Sequence, residues 1–275
     1  MTMTFSLHDS IDPNGAFDRT DSQSLLPTFE MSPAQEEFHI LQEKLTIPVI
    51  EGMVERPRIN AILSNSLEQF PATLISGRAG SGKTALAASF VAGRENVSWF
   101  SVESTDVEWQ TFSRYFSASL SPVNYGSREN SSFRESEKEA SPLGIARFLL
   151  NRFSHSYSGA PKRPSVVVLD DIHHIFDAPW FDDFFNLLLH SLPPETNLLL
   201  LCRSRPPSPL WRLRSKQILN VLDERLIAFN AAETESLFST YGLSFKAARK
   251  AHSQCFGRVS KLRQFAEEHT THQVG

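Results

Sequence analysis

The chain has 275 residues, 40% of them hydrophobic, with 27 basic and 31 acidic side chains and a formal net charge of −4. This composition allows one α/β core plus a small accessory unit, and the negative charge excludes a general attraction to nucleic acid or to an anionic membrane. Because no apolar stretch is long enough to cross a membrane and no basic residue precedes Arg19, we predict a cytoplasmic protein without a secretory signal.

The first 43 residues are predicted to form a disordered acidic tail. They are rich in Asp, Ser, Thr and Pro, contain a single arginine, and show no sustained apolar period. A second polar stretch, residues 121–141, places Asn and Ser among alternating charges. It is predicted to be a long surface loop that interrupts the folded domain without ending it.

Apolar runs alternate with amphipathic stretches between residues 44 and 225, which is typical of a parallel sheet with helices on both faces. We predict five strands, at residues 72–76, 97–102, 165–170, 197–202 and 218–222. Between these strands, apolar side chains recur at helical spacing and predict helices, as at Phe181, Phe184, Phe185 and Leu188. The segment 44–225 is therefore predicted to be the main α/β domain.

After the last strand the pattern is helical only, and residues 226–275 are predicted to form a small helical lid subdomain. Asn230 and Glu233 have the spacing of a capping box at the start of its first helix. Two further helices are predicted, with bounds near Ser244, Gly257, Val259 and Glu268.

The most informative motif is a phosphate-binding loop, G-x-x-x-x-G-K-[S/T], which occurs as Gly77-Arg78-Ala79-Gly80-Ser81-Gly82-Lys83-Thr84. Its surroundings are those that the motif requires, since an apolar strand precedes it and a helix-forming run, 85–92, follows it. The glycines allow backbone conformations that a side chain would forbid, so that successive N–H groups can surround a phosphate at the start of a helix.

Two side chains at the end of the loop carry the expected chemistry. The ammonium of Lys83 is predicted to bridge the β- and γ-phosphates of a nucleoside triphosphate, and the Thr84 hydroxyl to take one position on Mg²⁺, which prefers oxygen ligands. The sequence thus predicts binding of ATP or ADP together with Mg²⁺. A glycine-rich turn that matches the pattern by chance would lack the flanking strand and helix.

A second element of a nucleotide site is predicted where the apolar run 165–169 ends in two carboxylates, Asp170 and Asp171. Strands buried on both faces have this composition, and their carboxyl ends point into the ligand crevice of open α/β sheets. Asp170 is predicted to hold Mg²⁺, and Asp171 to orient or deprotonate the attacking water. The alternative is that the two acids simply begin a solvated turn.

Arg203 follows the next predicted strand and reaches the same edge of the sheet. A guanidinium there could contact the γ-phosphate, because it is always charged and forks onto two oxygens. The alternative is a solvent-facing basic patch formed by Arg203, Arg205, Arg212 and Arg214. His173 and His174 have no neighbouring ligand cluster and are interpreted as packing or supporting residues rather than metal ligands.

Several short motifs occur in an order typical of one protein group: Lys44-Leu45-Thr46-Ile47-Pro48, Val54-Glu55-Arg56-Pro57-Arg58, the phosphate-binding loop, Val97-Ser98-Trp99-Phe100-Ser101, Asp170-Asp171-Ile172-His173 and the arginine-proline stretch 203–214. Over residues 44–268 the chain resembles the ATPase module of the large ATP-binding LuxR-type regulators of the maltose-activator group, within the STAND class of signalling NTPases. The arginine-proline stretch is the most specific part of this resemblance.

The resemblance implies an AAA+/STAND-like P-loop fold with strand order 5-1-4-3-2, followed by a helical lid that closes over the base. It also implies a nucleotide-dependent switch, with an ADP-bound resting state, exchange for ATP on a signal, and ATP-dependent self-association. By position, Val54 and Arg56 would lie near the adenine, and Arg203 would sense the γ-phosphate.

The chain departs from the group in two respects. Members carry a Gly-x-Pro element in the lid, whereas this sequence has Gly257-Arg258-Val259. The sequence also ends near residue 275 without sensor repeats or a helix-turn-helix domain, so direct DNA binding is not expected.

Three hypotheses about function follow from the sequence. The first is a slow ATPase or nucleotide switch in bacterial signalling, with a protein partner or self-association as its output. The second is an adaptor that keeps the fold without turnover, for which Val259 in place of proline is the argument. A nucleic-acid-associated ATPase is the third, because basic residues surround Trp211, but the net charge disfavours it. A small-molecule kinase would share the phosphate-binding loop, but the long interval to Asp170 disfavours that reading.

Overall fold

The five apolar runs of the sequence form one parallel sheet in the computed structural model, which describes residues 40–120, 140–153 and 166–271. Most of the predicted tail, most of the predicted loop 121–141 and Ser165 lie outside the described residues. The strands are β1 (Ala72–Ser76), β2 (Val97–Ser101), β3 (Val166–Asp170), β4 (Asn197–Cys202) and β5 (Leu219–Leu222). Their order is β2-β3-β4-β1-β5, which is the predicted order read from the opposite edge.

The parallel register brings the ends of the central strands together. Ser76 at the end of β1 pairs with Cys202 at the end of β4, and Ser101 of β2 pairs with Asp170 of β3. The predicted sixth residue of β2, Val102, still donates its N–H to the carbonyl oxygen of Asp170 at 2.9 Å. Strand ends that meet at one edge place the residues that follow them around a common crevice.

Ten α-helices lie within the described ranges. They are α1 (Pro57–Gln69), α2 (Lys83–Val91), α3 (Trp109–Leu120), α4 (Pro142–Phe153), α5 (Phe181–Ser191), α6 (Ser208–Ser215), α7 (Glu224–Ile227), α8 (Ala231–Thr240), α9 (Phe245–Cys255) and α10 (Val259–Thr271). Short 3-10 turns occur at Gln42–Leu45, Ser104–Val107 and Ile172–Ile175. None of the helices in these ranges is long and apolar enough to span a bilayer.

Apolar side chains fill both faces of the sheet. One face packs against α1 and α2 through residues such as Ile59, Leu63 and Leu86, all buried. On α3, α4 and α5 an aromatic cluster forms, in which Phe112 and Phe184 lie 5.0 Å apart between ring centres. This two-sided burial explains why β3 and β4 are almost continuously apolar.

The first two of the three C-terminal helices have the predicted start signals. Asn230 and Glu233 form a complete capping box at α8, and the Ser244 hydroxyl accepts the N–H of Ala247 at the start of α9. A separate apolar cluster unites α8, α9 and α10 around Leu237 and Phe238. These described residues belong to the same compact unit as the sheet.

The first described residues are attached to the sheet by a buried ion pair. The Lys44 ammonium lies 2.6 Å from Asp106, and both side chains are almost fully buried. The same ammonium lies 4.1 Å from the ring centre of Tyr115 on α3. Since a charge buried away from water requires a partner, Lys44 and Asp106 depend on each other to stay buried.

Candidate nucleotide-binding site

The predicted phosphate-binding loop connects β1 to α2. Gly80 and Gly82 have φ angles of +74° and +88°, which are left-handed conformations that favour glycine. Gly77 does not have a positive φ, but a Cβ there would lie 2.9 Å from the Ser81 hydroxyl oxygen. Gly80 and Gly82 are therefore required by their backbone conformation, and Gly77 is required because a side chain would not fit there.

Lys83 lies inside the loop in a nearly buried position. Its ammonium donates to the carbonyl oxygens of Gly77, at 2.7 Å, and Arg78, at 3.2 Å. Burial lowers the pKa of Lys83, and the nearby carboxylates of Asp171 and Asp170 partly oppose this shift. These hydrogen bonds hold the positive charge of Lys83 against the backbone of the loop.

Thr84 and Asp170 meet at the start of α2, where the Thr84 hydroxyl donates to Asp170 Oδ2 at 2.8 Å. Asp170 is 4% exposed, and burial raises its pKa to about 6. A hydroxyl beside a buried carboxylate is an oxygen donor set of the kind that Mg²⁺ takes. Among the described residues no group of three or more His, Cys, Asp or Glu side chains is arranged to hold a metal ion.

Asp171 and Arg203 form a paired contact across the ends of β3 and β4. Asp171 has a φ of +55°, and its two carboxylate oxygens accept hydrogen bonds from Arg203 Nε at 3.0 Å and Nη2 at 2.5 Å. A forked contact of this kind fixes both side chains in orientation. The hydrogen bond to Asp171 holds the pKa of Arg203 above its ordinary value.

His173 lies behind this pair. Its Nδ1 atom is 3.8 Å from Asp171 Oδ1, is buried, and makes no hydrogen bond within the described residues. The imidazole packs against His174, with 4.2 Å between ring centres. Burial lowers the pKa of His173, which favours the neutral form.

Val54 and Arg56 lie against the C-terminal helices. The Arg56 guanidinium donates to the Ile227 carbonyl oxygen at 2.8 Å and to Glu233 Oε2 at 3.0 Å, and it stacks on the ring of Phe229 at 4.1 Å. Val54 packs against the apolar cluster of α8, α9 and α10. Both residues therefore join the strand-bearing region to the predicted lid.

The start of α10 rests directly on the phosphate-binding loop. Ser260 donates its N–H to the Gly80 carbonyl oxygen at 3.2 Å, and Arg258 Nη2 donates to the Ala79 carbonyl oxygen. A Cβ on Gly82 would lie 2.8 Å from Val259 Cγ1. The residue that replaces the lid proline is thus in close contact with the loop.

Sequence reasoning did not single out Glu224, which follows β5. Its carboxylate accepts the backbone N–H of Arg78 at 3.0 Å and also pairs with the Arg78 guanidinium. No short motif marks Glu224, because its position beside the loop arises from the pairing of β5 with β1. It fixes the first turn of the loop through a side chain 146 residues further along the chain.

The sheet order, the loop between β1 and α2 and the acids at the end of β3 define an α/β protein of the P-loop nucleoside triphosphatase class. A family model described as "AAA ATPase domain" matches residues 55–201, more than half of the chain. The chain belongs to this family of ATPase domains.

Among curated proteins, the chain is 26% identical over 200 residues to the HTH-type transcriptional regulator MalT of Vibrio cholerae serotype O1. The match covers 72% of this chain and 22% of the regulator, so the chain spans less than a quarter of that relative's length. A homologue of this kind supports the predicted relation to the large ATP-binding regulators.

Two solved structures align with this chain at 12% sequence identity. The Walker-type ATPase of Pyrococcus abyssi aligns with a TM-score of 0.47 over 81% of this chain and 72% of its own. A katanin structure, described in connection with self-assembly, aligns with a TM-score of 0.40 over 76% of this chain and 68% of its own.

Proposed function

We propose that this chain is an ATP-binding switch of the STAND type with slow ATPase activity. The observation that carries the proposal is the convergence of the phosphate-binding loop, the Thr84–Asp170 contact and the Asp171–Arg203 pair at one edge of the sheet. Each member supplies what a magnesium-bound triphosphate requires, namely backbone donors, oxygen ligands for the cation and a guanidinium.

The residues have separate roles in this proposal. The loop N–H groups and Lys83 would bind the β- and γ-phosphates, while Thr84 and Asp170 would hold Mg²⁺, which neutralises phosphate charge when bound. Asp171 would orient the attacking water and accept its proton. Arg203 would contact the γ-phosphate, for which its exposed fork at the end of β4 is suitable.

The switch would work through groups that are already paired. A γ-phosphate would compete with Asp171 for Arg203. The carboxylate of Asp171, once released, would be able to orient the attacking water and accept its proton. The contacts of Arg258 and Ser260 with the loop carbonyls support the idea that the lid responds to the same change. The resemblance to the large regulators adds ADP in the resting state and self-association with ATP.

Nucleotide binding is tested with labelled ATP and Mg²⁺ on the purified chain. Lys83→Ala should weaken ATP binding by at least about tenfold, because it removes a charge-assisted contact to phosphate. Lys246→Ala, which removes an exposed charge from α9, is the matched control and should bind as the parent does. Equal binding by the parent and Lys83→Ala would contradict the proposal.

One observation favours the adaptor alternative, in which the protein binds nucleotide without hydrolysing it. Both carboxylate oxygens of Asp171 are engaged by Arg203 and are not free to activate water. Steady phosphate release that disappears in Asp171→Asn would support the ATPase. Tight ATP binding without phosphate release in the parent would support the adaptor.

A further inference from the structure

Helix α9 has an exposed side that combines positive charge with aromatic rings. Three cations, Lys246, Arg249 and Lys250, are exposed on it, and α9 contains no acidic residue. Phe245 at the start of the helix is 55% exposed, and Phe256, directly after its end, is 84% exposed. These five side chains are termed the α9 face. The other side of the helix packs into the apolar cluster that α8, α9 and α10 share.

The cations of the α9 face have no acidic partner in the part of the chain that the structure describes. Lys246 and Lys250 make no hydrogen bond or ion pair there, and the Arg249 guanidinium lies over the Phe245 ring, 4.9 Å from its centre. Unneutralised cations attract carboxylates, and removing an exposed phenylalanine ring from water is favourable. The α9 face is therefore suited to an acidic partner with some apolar surface.

A surface of this kind occurs in the same chain. It is formed by four carboxylates that are at least partly exposed, those of Glu108, Asp177, Asp182 and Asp183, and is termed the acidic face. Within the described ranges none of the four makes an ion pair. The segments that carry them are neighbours, because Trp180 Nε1 donates to the Val107 carbonyl oxygen at 2.8 Å. The half-buried ring of Phe176 adds apolar surface beside them.

The two faces lie toward opposite edges of the sheet. The acidic face is carried by residues that follow β2 and β3, which form one end of the strand order β2-β3-β4-β1-β5. Helix α9 follows β5 at the other end, and its neighbour α10 rests on the loop after β1. One molecule therefore does not pair the two faces with each other, but two copies can.

We propose that the α9 face of one copy binds the acidic face of a second copy in a head-to-tail contact. The cations meet the carboxylates, and the rings of Phe245 and Phe256 are removed from water. Because two different surfaces pair, each end of the complex keeps one free face, and further copies can add. Neither face includes a residue of the phosphate-binding loop. The contact therefore needs no nucleotide and is separate from the ATP-dependent self-association of the proposed function.

Sedimentation of the full chain without nucleotide tests the contact. At about 0.02 M salt the average mass should rise with protein concentration, and at about 0.5 M salt association should weaken by at least about tenfold, because exposed charges are screened. Lys83→Ala should associate as the parent does, which separates this contact from nucleotide binding.

Charge reversal identifies the two faces. Arg249→Glu with Lys250→Glu, and separately Glu108→Lys with Asp177→Lys, should each weaken association at low salt by at least about tenfold, because like charges then meet. An equimolar mixture of the two double variants should associate again, since each variant offers the other a face of opposite charge. Thermal unfolding of each variant verifies that its fold is kept.

Two further variants control for total charge and for the aromatic part of the contact. Arg147→Glu with Lys216→Glu, exposed outside both faces, makes the same charge change as the reversed α9 face and should associate within about twofold of the parent. Phe245→Ser should weaken association at low and at high salt alike, because burial of its ring does not depend on charge.

Four results would overturn the inference. They are a parent that stays monomeric at low salt, an equal loss in the control variant with Arg147 and Lys216 reversed, a mixture of the two reversed variants that stays monomeric, and loss of association in Lys83→Ala. The second would reduce the contact to general electrostatics, and the third would mean that the two faces bind other partners. Failure of ATP binding with salt-sensitive association intact would contradict the proposed function alone.

Discussion

Asp170 is a buried carboxylate whose ionisation lowers the stability of the nucleotide-free fold. It is almost completely buried, its partners are the Thr84 hydroxyl and the Asp171 N–H, and burial raises its pKa from 3.8 to about 6. A raised carboxyl pKa means that the folded state holds the proton more tightly than the unfolded state does. The ionised form therefore destabilises the nucleotide-free fold.

Asp170→Asn should stabilise the nucleotide-free protein at pH 8. Between pH 3.8 and 6 the folded state binds more protons than the unfolded state, so the contribution of Asp170 to stability falls as the pH rises and stays low above 6. The neutral amide avoids this cost, which is at most about 3 kcal/mol at pH 8. Urea unfolding at pH 8 and pH 5 measures the gain.

The gain from Asp170→Asn should narrow at pH 5, where the parent carboxyl is largely protonated in the folded state. Ser98→Ala, also buried in the sheet, is a suitable control because it changes no titrating group. A variant that is less stable than the parent at pH 8 would contradict the expected cost of the buried charge.

Arg203→Ala should reduce the preference for ATP over ADP. Its guanidinium donates two hydrogen bonds to Asp171. In the proposed function it exchanges this partner for the γ-phosphate, which ADP does not have. ATP affinity is expected to fall about tenfold and ADP affinity by less than about twofold, as measured by competition with labelled ATP. Arg205→Ala, in the same loop without an Asp171 contact, is the control; equal losses for both nucleotides would contradict a sensing role.

At the scale of elements, the turn between α9 and α10 determines how the C-terminal helices meet the phosphate-binding loop. Gly257 has a φ of +72°, and its carbonyl oxygen accepts the N–H of Phe229 at 2.9 Å. An added Cβ at this position would overlap the backbone of Phe229. The glycine allows the chain to pass close enough for Val259 and Ser260 to reach the loop.

Gly257→Ala should destabilise the protein far more than Gly52→Ala. Both glycines have left-handed conformations, but a Cβ on Gly52, with a φ of +60°, would meet nothing within 4 Å. The conformational penalty alone is about 1 kcal/mol, and the clash at Gly257 should add at least about 2 kcal/mol. Urea unfolding of the two variants tests this, and equal losses would show that the turn can relax.

At the scale of the whole molecule, Arg56 connects the start of α1 to the capping box of α8. Burial alone would raise the pKa of Glu233, but hydrogen bonds from Arg56, Arg58 and the Asn230 N–H outweigh it, and the pKa lies below its ordinary value. A lowered carboxyl pKa means that this stabilisation is present at neutral pH and is lost as the pH falls through the folded-state pKa.

Arg56→Met should cost about 3 kcal/mol of unfolding free energy at pH 7, because it leaves the Glu233 carboxylate buried with one cation fewer. Arg56→Met combined with Glu233→Gln should recover part of this loss, since no unpaired charge then remains. A double-mutant cycle from urea unfolding measures the coupling between the two residues. Additive losses would contradict a shared role in holding the lid.

The positions of the strands and the phosphate-binding loop could be predicted because they depend on local patterns, whereas the strand order was implied by the resemblance to a known family. Apolar runs of the length of a strand, the spacing of Gly80, Gly82 and Lys83, and the capping box at Asn230 are each visible within about ten residues. The start of β5 and the end of β2 differ from prediction by one residue, since apolar flanks such as Ile218 and Val102 extend the pattern beyond the ladder.

The contacts that fix the site could not be predicted in the same way. Glu224 approaches Arg78, and Arg258 approaches Ala79, across separations of 146 and 179 residues. Such contacts depend on the packing of α7 and α10 against the sheet, which no short motif encodes. The hydrogen bonds of Arg56 to Glu233 and Ile227 could not be predicted either. The family resemblance placed Arg56 near the adenine and did not indicate these partners.

The contact of Val259 with Gly82 restricts the evolution of two distant positions. Any larger residue at 82 would displace the branched side chain at 259, and a bulkier residue at 259 would push on the loop between β1 and α2. Since the φ of +88° already requires glycine at 82, the restriction falls on the side chain at 259. Orthologous sequences should accordingly keep glycine at 82 and a side chain no larger than valine at 259, although 177 residues separate the two positions along the chain.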